Sequence, residues 1–130
     1  MIAGLEGQGM DAHYLGFFEC FNQGLYYEAH DVLEELWLPS RKGPNDAFYK
    51  GLIQLAGAFV HLQKERLKPS AALFNLARAN LLQYPPQHEG IVTLDLLALT
   101  DCWLQRLQQA DFTVNPFKTN SPPKLLPPRM

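Results

Sequence analysis

The distribution of apolar residues along the chain predicts a protein built from helices. Apolar side chains recur at intervals of three and four residues, which is the spacing of one face of an α-helix, and no segment alternates as a strand does. A first helix is expected after Asp11, a good N-cap, and Gly24 stands where a left-handed residue ends such a helix. A second helix runs from about Leu25 to Leu38, where Pro39 stops it.

The same spacing predicts three more helices. The third starts at Pro44 or Asn45 and ends near Leu67. Ser70 is expected to cap the fourth and Thr93 to cap the fifth. The sequence therefore predicts an all-α fold, a compact bundle of about five helices in which the second and third form a central antiparallel helical hairpin.

Composition divides the chain into three parts. Residues 1–10 contain three glycines and no periodic pattern, which predicts a flexible leader. Residues 11–112 form the single helical domain, and residues 113–130 form an extended tail rich in proline. Three apolar side chains are expected to hold this tail along the body: Phe117, Leu125 and Leu126.

Composition and charge also exclude several classes of protein. A chain of 130 residues that is 47% hydrophobic can bury one core, and its net charge of −2 with scattered basic residues argues against a nucleic-acid partner. No stretch approaches the roughly 20 apolar residues of a membrane span. Cys20 and Cys102 form no CxxC pair, which predicts two mostly buried thiols in a reducing compartment. We therefore expect a cytoplasmic protein without a membrane partner.

One face of the second helix carries an unusual set of side chains. Tyr27, His30, Glu34 and Trp37 recur at helical spacing, so they line up along one face. The i,i+4 pair of His30 and Glu34 gives the imidazole an acceptor, which would fix its tautomer. Such an arrangement suits a metal ligand, a general base or a structural hydrogen bond equally well.

The third helix offers counterparts to this face. Gln54 and His61 lie on one narrow strip of an otherwise apolar helix, interleaved with Gly51, Gly57 and Ala58. Small residues let another helix approach closely, and if that helix is the second one, the polar side chains converge in one pocket. Otherwise Gln54 and His61 mark a solvent-facing strip, or they belong to a buried hydrogen-bond network that serves packing alone.

Several known chemistries lack their motifs. The segment HDVLE holds one histidine, so it is not the HExxH of zinc peptidases, and no phosphate-binding glycine loop is present. The Glu-x-x-His pairs of di-iron bundles are also missing. A divalent metal remains one alternative as cofactor, with His30 and His61 as its candidate ligands.

Two segments of the chain resemble a known family. FNQGLYYEAHDVLEELW and FYKGLIQLAGAFVHLQ are similar to the paired signature of the domain-of-unknown-function 309 family, over roughly Phe17 to Tyr84. Asp31 stands where the family more usually has Glu. The resemblance implies an all-α fold and a shared constellation of His, Glu and Gln, and it favours a buried polar site over a solvent-facing strip. It implies no activity.

Three functions remain open at this point. The first is a binding module that holds a small ligand or a segment of a protein partner in a pocket lined by Tyr27, His30, Glu34, Trp37, Gln54 and His61. The second is an enzyme in which His30 is the base, Glu34 orients it, and His61 is a second base or a metal ligand. The third is a purely structural polar network. A homodimer is also compatible with the aromatic surplus, in which Trp103 would suit a dimer face.

Overall fold

The computed structural model describes residues 11–129 of the chain, and the leader expected at residues 1–10 lies outside them. The regular structure of this part consists of helices α1 (Ala12–Asn22), α2 (Tyr26–Trp37), α3 (Asp46–Gln63), α4 (Leu67–Leu81), α5 (Thr93–Gln109) and α6 (Pro116–Thr119), with one antiparallel hairpin of strands β1 (Gln87–His88) and β2 (Ile91–Val92). The predicted all-α bundle is confirmed, with five long helices.

The ends of the first helices follow local rules of capping. The Asp11 carboxylate accepts a hydrogen bond from the backbone N–H of His13 at 2.7 Å, which satisfies one free donor of the first turn. Gly24 takes the predicted left-handed conformation, with φ at +77°. Helix α2 ends at Trp37, and Pro39 lies in a single 3₁₀ turn that follows it.

Helix α3 occupies the centre of the bundle because it is apolar on most sides. It packs against α2, as predicted, but more extensively against α4. Its glycines explain this difference: a Cβ on Gly51 would lie 3.0 Å from Leu81 Cγ, and a Cβ on Gly57 would lie 3.1 Å from Leu73 Cδ1. Both contacts are with α4. The two glycines of α3 therefore admit α4 and not α2, the neighbour that the sequence left open.

Aromatic rings fill the space between the helices. Phe59 of α3 lies at the middle, with its ring centroid 5.2 Å from the stacked ring of Tyr26 and 5.0 Å from the edge-on ring of Trp103. Offset and edge-on pairs of this kind add to the free energy gained by burial. Only 3% of Trp103 is exposed, so this ring belongs to the core and is not available to a dimer face. Cys20 is buried, whereas Cys102 is exposed, contrary to expectation.

Ser70 is not the N-cap of the fourth helix. Glu65 adopts a left-handed φ of 59° that turns the chain after α3, and α4 already begins at Leu67. Pro69 is tolerated inside the first turn because N–H groups there have no helical partner. The buried Ser70 hydroxyl donates instead to the carbonyl of Ala58 at 2.8 Å, which ties α4 to α3.

The segment between α4 and α5 contains the only strands found within residues 11–129, and none was predicted. Glu89 and Gly90 take left-handed φ values of 49° and 77°, as in a tight two-residue hairpin. Each strand has two residues, which is too short for alternation of apolar and polar positions to show in the sequence.

The tail runs back along α1 and is held there by contacts with Asn22, whose backbone carbonyl accepts a hydrogen bond from the Lys124 ammonium group. The Asn22 side chain donates to the Leu125 carbonyl at 2.7 Å and accepts from the Leu125 N–H at 2.6 Å. Leu125 is buried and Phe117 packs on the core, as predicted, but Leu126 is 70% exposed and does not contribute.

Candidate functional site

Helix α2 presents its unusual face at the molecular surface. Ala29 and Leu33 are fully buried and fix the helix against the core, while Tyr27 is 58% exposed. The side chains of His30 and Glu34 are 33% and 41% exposed. These groups therefore do not form the buried polar network that was one of the alternatives.

The imidazole of His30 lies between two carboxylates. Its Nδ1 is 3.2 Å from Asp31 Oδ1, within hydrogen-bond distance, and its Nε2 is 3.7 Å from Glu34 Oε2. Glu34 was expected to be the acceptor, but the adjacent Asp31 makes the closer contact. Ion pairs this exposed contribute little to stability.

The polar residues of α3 have different environments. Gln54 Oε1 accepts a hydrogen bond of 2.7 Å from Asn80 Nδ2 of α4. His61 Nδ1 is a buried atom with no hydrogen-bond partner in the part of the chain that the structure describes. Burial lowers the pKa of His61, and the nearby charges of Arg66 and Lys64 lower it further, so this imidazole is neutral at pH 7.

Four of the six residues predicted for the site line one surface groove of about 230 Å³ between α2, α3 and α4. These four are Tyr27, His30, Gln54 and His61. The remainder of the lining is apolar or small: Ile53, Gly57, Val60 and Leu73. Leu73 was not predicted to line the groove because only α2 was considered opposite the polar strip of α3. The leucine spacing of α4 was the signal that a second helix could complete the groove.

Glu34 and Trp37 do not line this groove. The indole N–H of Trp37 donates to Asp46 Oδ1 at 2.7 Å, at the start of α3. Trp37 lines a separate depression of about 620 Å³ together with Leu38, Arg41, Lys42, Asp46 and Lys50. Asp46 was not among the predicted residues, because it lies nine positions from Trp37 in the chain and only the fold brings the two side chains together.

The donor set favours hydrogen bonding over metal coordination. Among residues 11–129, no three side chains of His, Cys, Asp or Glu are placed to hold a metal ion together. His30 and His61 share the groove without a third ligand, whereas structural and catalytic zinc sites use at least three protein ligands. The groove can pair polar groups of a ligand and bury an apolar part of it.

Within the described residues, no helix combines the length and the apolar character needed to cross a bilayer. The fold and the groove define a class: small all-α proteins that carry a cluster of polar side chains at a shallow surface groove.

The family model described as "Domain of unknown function (DUF309)" matches residues 14–73. The resemblance seen in the sequence is thereby confirmed over this segment, which contains every residue that lines the groove. Neither the curated proteins nor the solved structures that were compared gave a match.

Proposed function

We propose that this protein is a binding module whose groove between α2, α3 and α4 holds a small ligand or a single side chain of a protein partner. The observation that carries the proposal is one groove whose lining combines apolar side chains with the polar groups of Tyr27, His30, Gln54 and His61. Binding sites for small molecules combine these two features.

The size of the groove sets the size of its occupant. A volume of about 230 Å³ is smaller than the roughly 300–1,000 Å³ of pockets for drug-sized ligands. Ile53, Val60 and Leu73 would take up an apolar group, and the neutral imidazole of His61 would hydrogen-bond a polar atom attached to it.

The test is a fragment screen on the full chain by ¹H–¹⁵N NMR. Fragments with one apolar ring and one polar group should shift the amide signals of Tyr27, Gly57 and His61. Gly57→Ala should weaken this binding because the added methyl lies in the groove against Leu73. Shifts that remain unchanged in Gly57→Ala, or that fall outside the groove, would refute the proposal.

A second candidate function is acid–base catalysis, favoured by the two carboxylates at the ring nitrogens of His30. His30→Gln separates the candidates, because glutamine keeps hydrogen-bonding capacity but cannot transfer a proton at neutral pH. A binding module retains its ligand in this variant, whereas an enzyme loses turnover.

The matched control for His30→Gln is His13→Gln. His13 also lies between two carboxylates, with Nδ1 3.1 Å from Asp11 and Nε2 3.0 Å from Glu35, but it is on α1 and outside the groove. An effect shared by both variants would reflect surface charge and not the groove.

A further inference from the structure

The depression at the junction of α2 and α3 is lined by more positively than negatively charged side chains. It is lined by three of the chain's eleven basic residues, Arg41, Lys42 and Lys50, against a single acidic one, Asp46. The net charge of the whole chain is −2, so this positive region is a local feature. Trp37 and Leu38 supply an apolar wall beside it.

The one carboxylate in this depression, that of Asp46, accepts two hydrogen bonds from the protein. Asp46 Oδ2 accepts from the backbone N–H of Lys42 at 2.9 Å, and Oδ1 accepts from the Trp37 indole at 2.7 Å. These two hydrogen bonds, and then the charges of Lys50 and Arg41, lower the pKa of Asp46. Asp46 therefore fixes the indole and the loop.

The cations themselves remain available. Within the described residues, Arg41, Lys42 and Lys50 form no ion pair, and the ammonium groups of the two lysines donate no hydrogen bond. The Arg41 guanidinium lies 5.8 Å above the Trp37 ring, and its Nε makes only a long contact of 3.4 Å with the Leu38 carbonyl. By contrast, Arg78 and Lys118 are paired with Asp101 and Glu65, each at 2.8 Å.

The loop that carries Lys42 has an unusual backbone conformation. Lys42 has a left-handed φ of 68°, in a turn closed by the hydrogen bond of 3.0 Å from Gly43 N–H to Ser40 O. Glycine adopts this conformation without strain and lysine does not. A lysine at this position places an ammonium group at the depression at a cost in local conformation.

We propose that this depression binds the phosphate group of a small anionic molecule. Phosphate offers the charge and the several acceptor oxygens that one guanidinium and two ammonium groups can satisfy together. The indole, held in place by Asp46, forms the wall on which the rest of the ligand rests. This site shares no lining residue with the groove of Tyr27 and His61, and it does not depend on the function proposed for that groove.

The test is isothermal titration of the full chain with inorganic triphosphate, ATP and adenosine. Triphosphate and ATP should bind and adenosine should not, because the phosphate group provides the recognition. Arg41→Gln/Lys50→Gln should weaken triphosphate binding by about tenfold or more, as expected when charge-assisted contacts are lost. Lys64→Gln/Lys68→Gln removes two exposed charges outside the depression and should change the affinity by no more than about twofold.

Lys42→Gly is a variant that should fold at least as well as the wild type, so a loss of binding in it is not explained by unfolding. It removes one cation and places glycine where the backbone favours it, so the melting temperature should be kept or raised while triphosphate binding weakens. The proposal is overturned by a wild-type chain that binds no triphosphate, by adenosine binding as well as ATP, or by equal losses in the two double variants. Unchanged affinity in Lys42→Gly would also contradict it.

Discussion

At the scale of single residues, His61 links the stability of the fold to pH. Its pKa is lower in the folded chain than in the unfolded chain, so the unfolded state binds the proton more readily. The free energy of unfolding is therefore undiminished above the ordinary pKa of 6.5 and falls as the pH drops below it.

We expect wild-type protein to lose stability between about pH 7 and pH 5 and His61→Gln to lose less over the same range. Urea denaturation at several pH values measures this difference. His88→Gln is the control, since His88 also has a partly buried imidazole and a pairing partner, Asn45, at 2.7 Å. Equal slopes for wild type and His61→Gln would show that His61 is not the responsible group.

The Ser70 hydroxyl contributes to the contact between α3 and α4. Ser70→Ala removes a buried hydrogen bond to the Ala58 carbonyl and should lower the free energy of unfolding by about 1 kcal/mol. Ser40→Ala removes a bond of the same length, 2.8 Å, to the Leu36 carbonyl at a partly exposed site, and should cost less. Chemical denaturation of both variants gives the comparison, and a larger loss for Ser40→Ala would contradict this account.

Sequence predicted which polar residues meet at the groove more accurately than it predicted their individual bonds. Helical periodicity fixes the face on which a residue lies, and this was sufficient to bring Tyr27, His30 and His61 together. The acceptor of His30 and the partner of Trp37 depend on side-chain torsions and on the path of the loop before α3. A linear pattern does not contain these quantities.

At the scale of helices, the two glycines of α3 allow a direct comparison of packing. A methyl on Gly51 meets Leu81 Cγ at 3.0 Å and Asn80 Cβ at 3.2 Å, atoms close to the backbone of α4. A methyl on Gly57 meets only the end of the flexible Leu73 side chain.

Gly51→Ala should therefore lower the free energy of unfolding by about 1–3 kcal/mol, less the gain of about 1 kcal/mol in helix propensity. Gly57→Ala should be close to neutral in stability. Thermal and urea denaturation of the two variants test this order. The reverse order would mean that α4 adjusts more easily than its packing indicates.

The sequence located the long helices, but it did not identify α4 as the main packing partner of α3. Small residues in α3 indicate that a helix approaches, without stating which one. The start of α4 was predicted too late in the chain. Pro69 was interpreted as a residue between two helices, although proline fits a first helical turn. The hairpin of β1 and β2 was not predicted because strands of two residues are too short to show alternating apolar and polar positions.

At the scale of the whole described chain, the tail is held by few contacts. Asn22→Ala removes both hydrogen bonds to Leu125 and should free the tail from α1. Trypsin should then cleave after Lys124 faster than in wild type, because proteases need a locally unfolded segment.

Asn120→Ala is the matched control for this experiment. Its side chain bonds only to Pro116 and Thr119, within the same short segment, so its loss should not expose Lys124. Mass spectrometry of the digest identifies the cleaved bond. Identical cleavage rates at Lys124 in wild type and Asn22→Ala would show that other contacts hold the tail.

The pairing of Asn22 with Leu125 also has a consequence for the order in which parts of the chain fold during synthesis. The two residues are separated by 103 positions, and contacts this distant in sequence are the last to be favoured by loop entropy. During synthesis, α1 to α4 can pack as soon as residue 81 is available, but α1 remains uncovered on one side until residue 125 has been added. A ribosome that stalls between these positions would hold a bundle with an exposed flank, and a chaperone or a second unfinished chain would first bind on that flank.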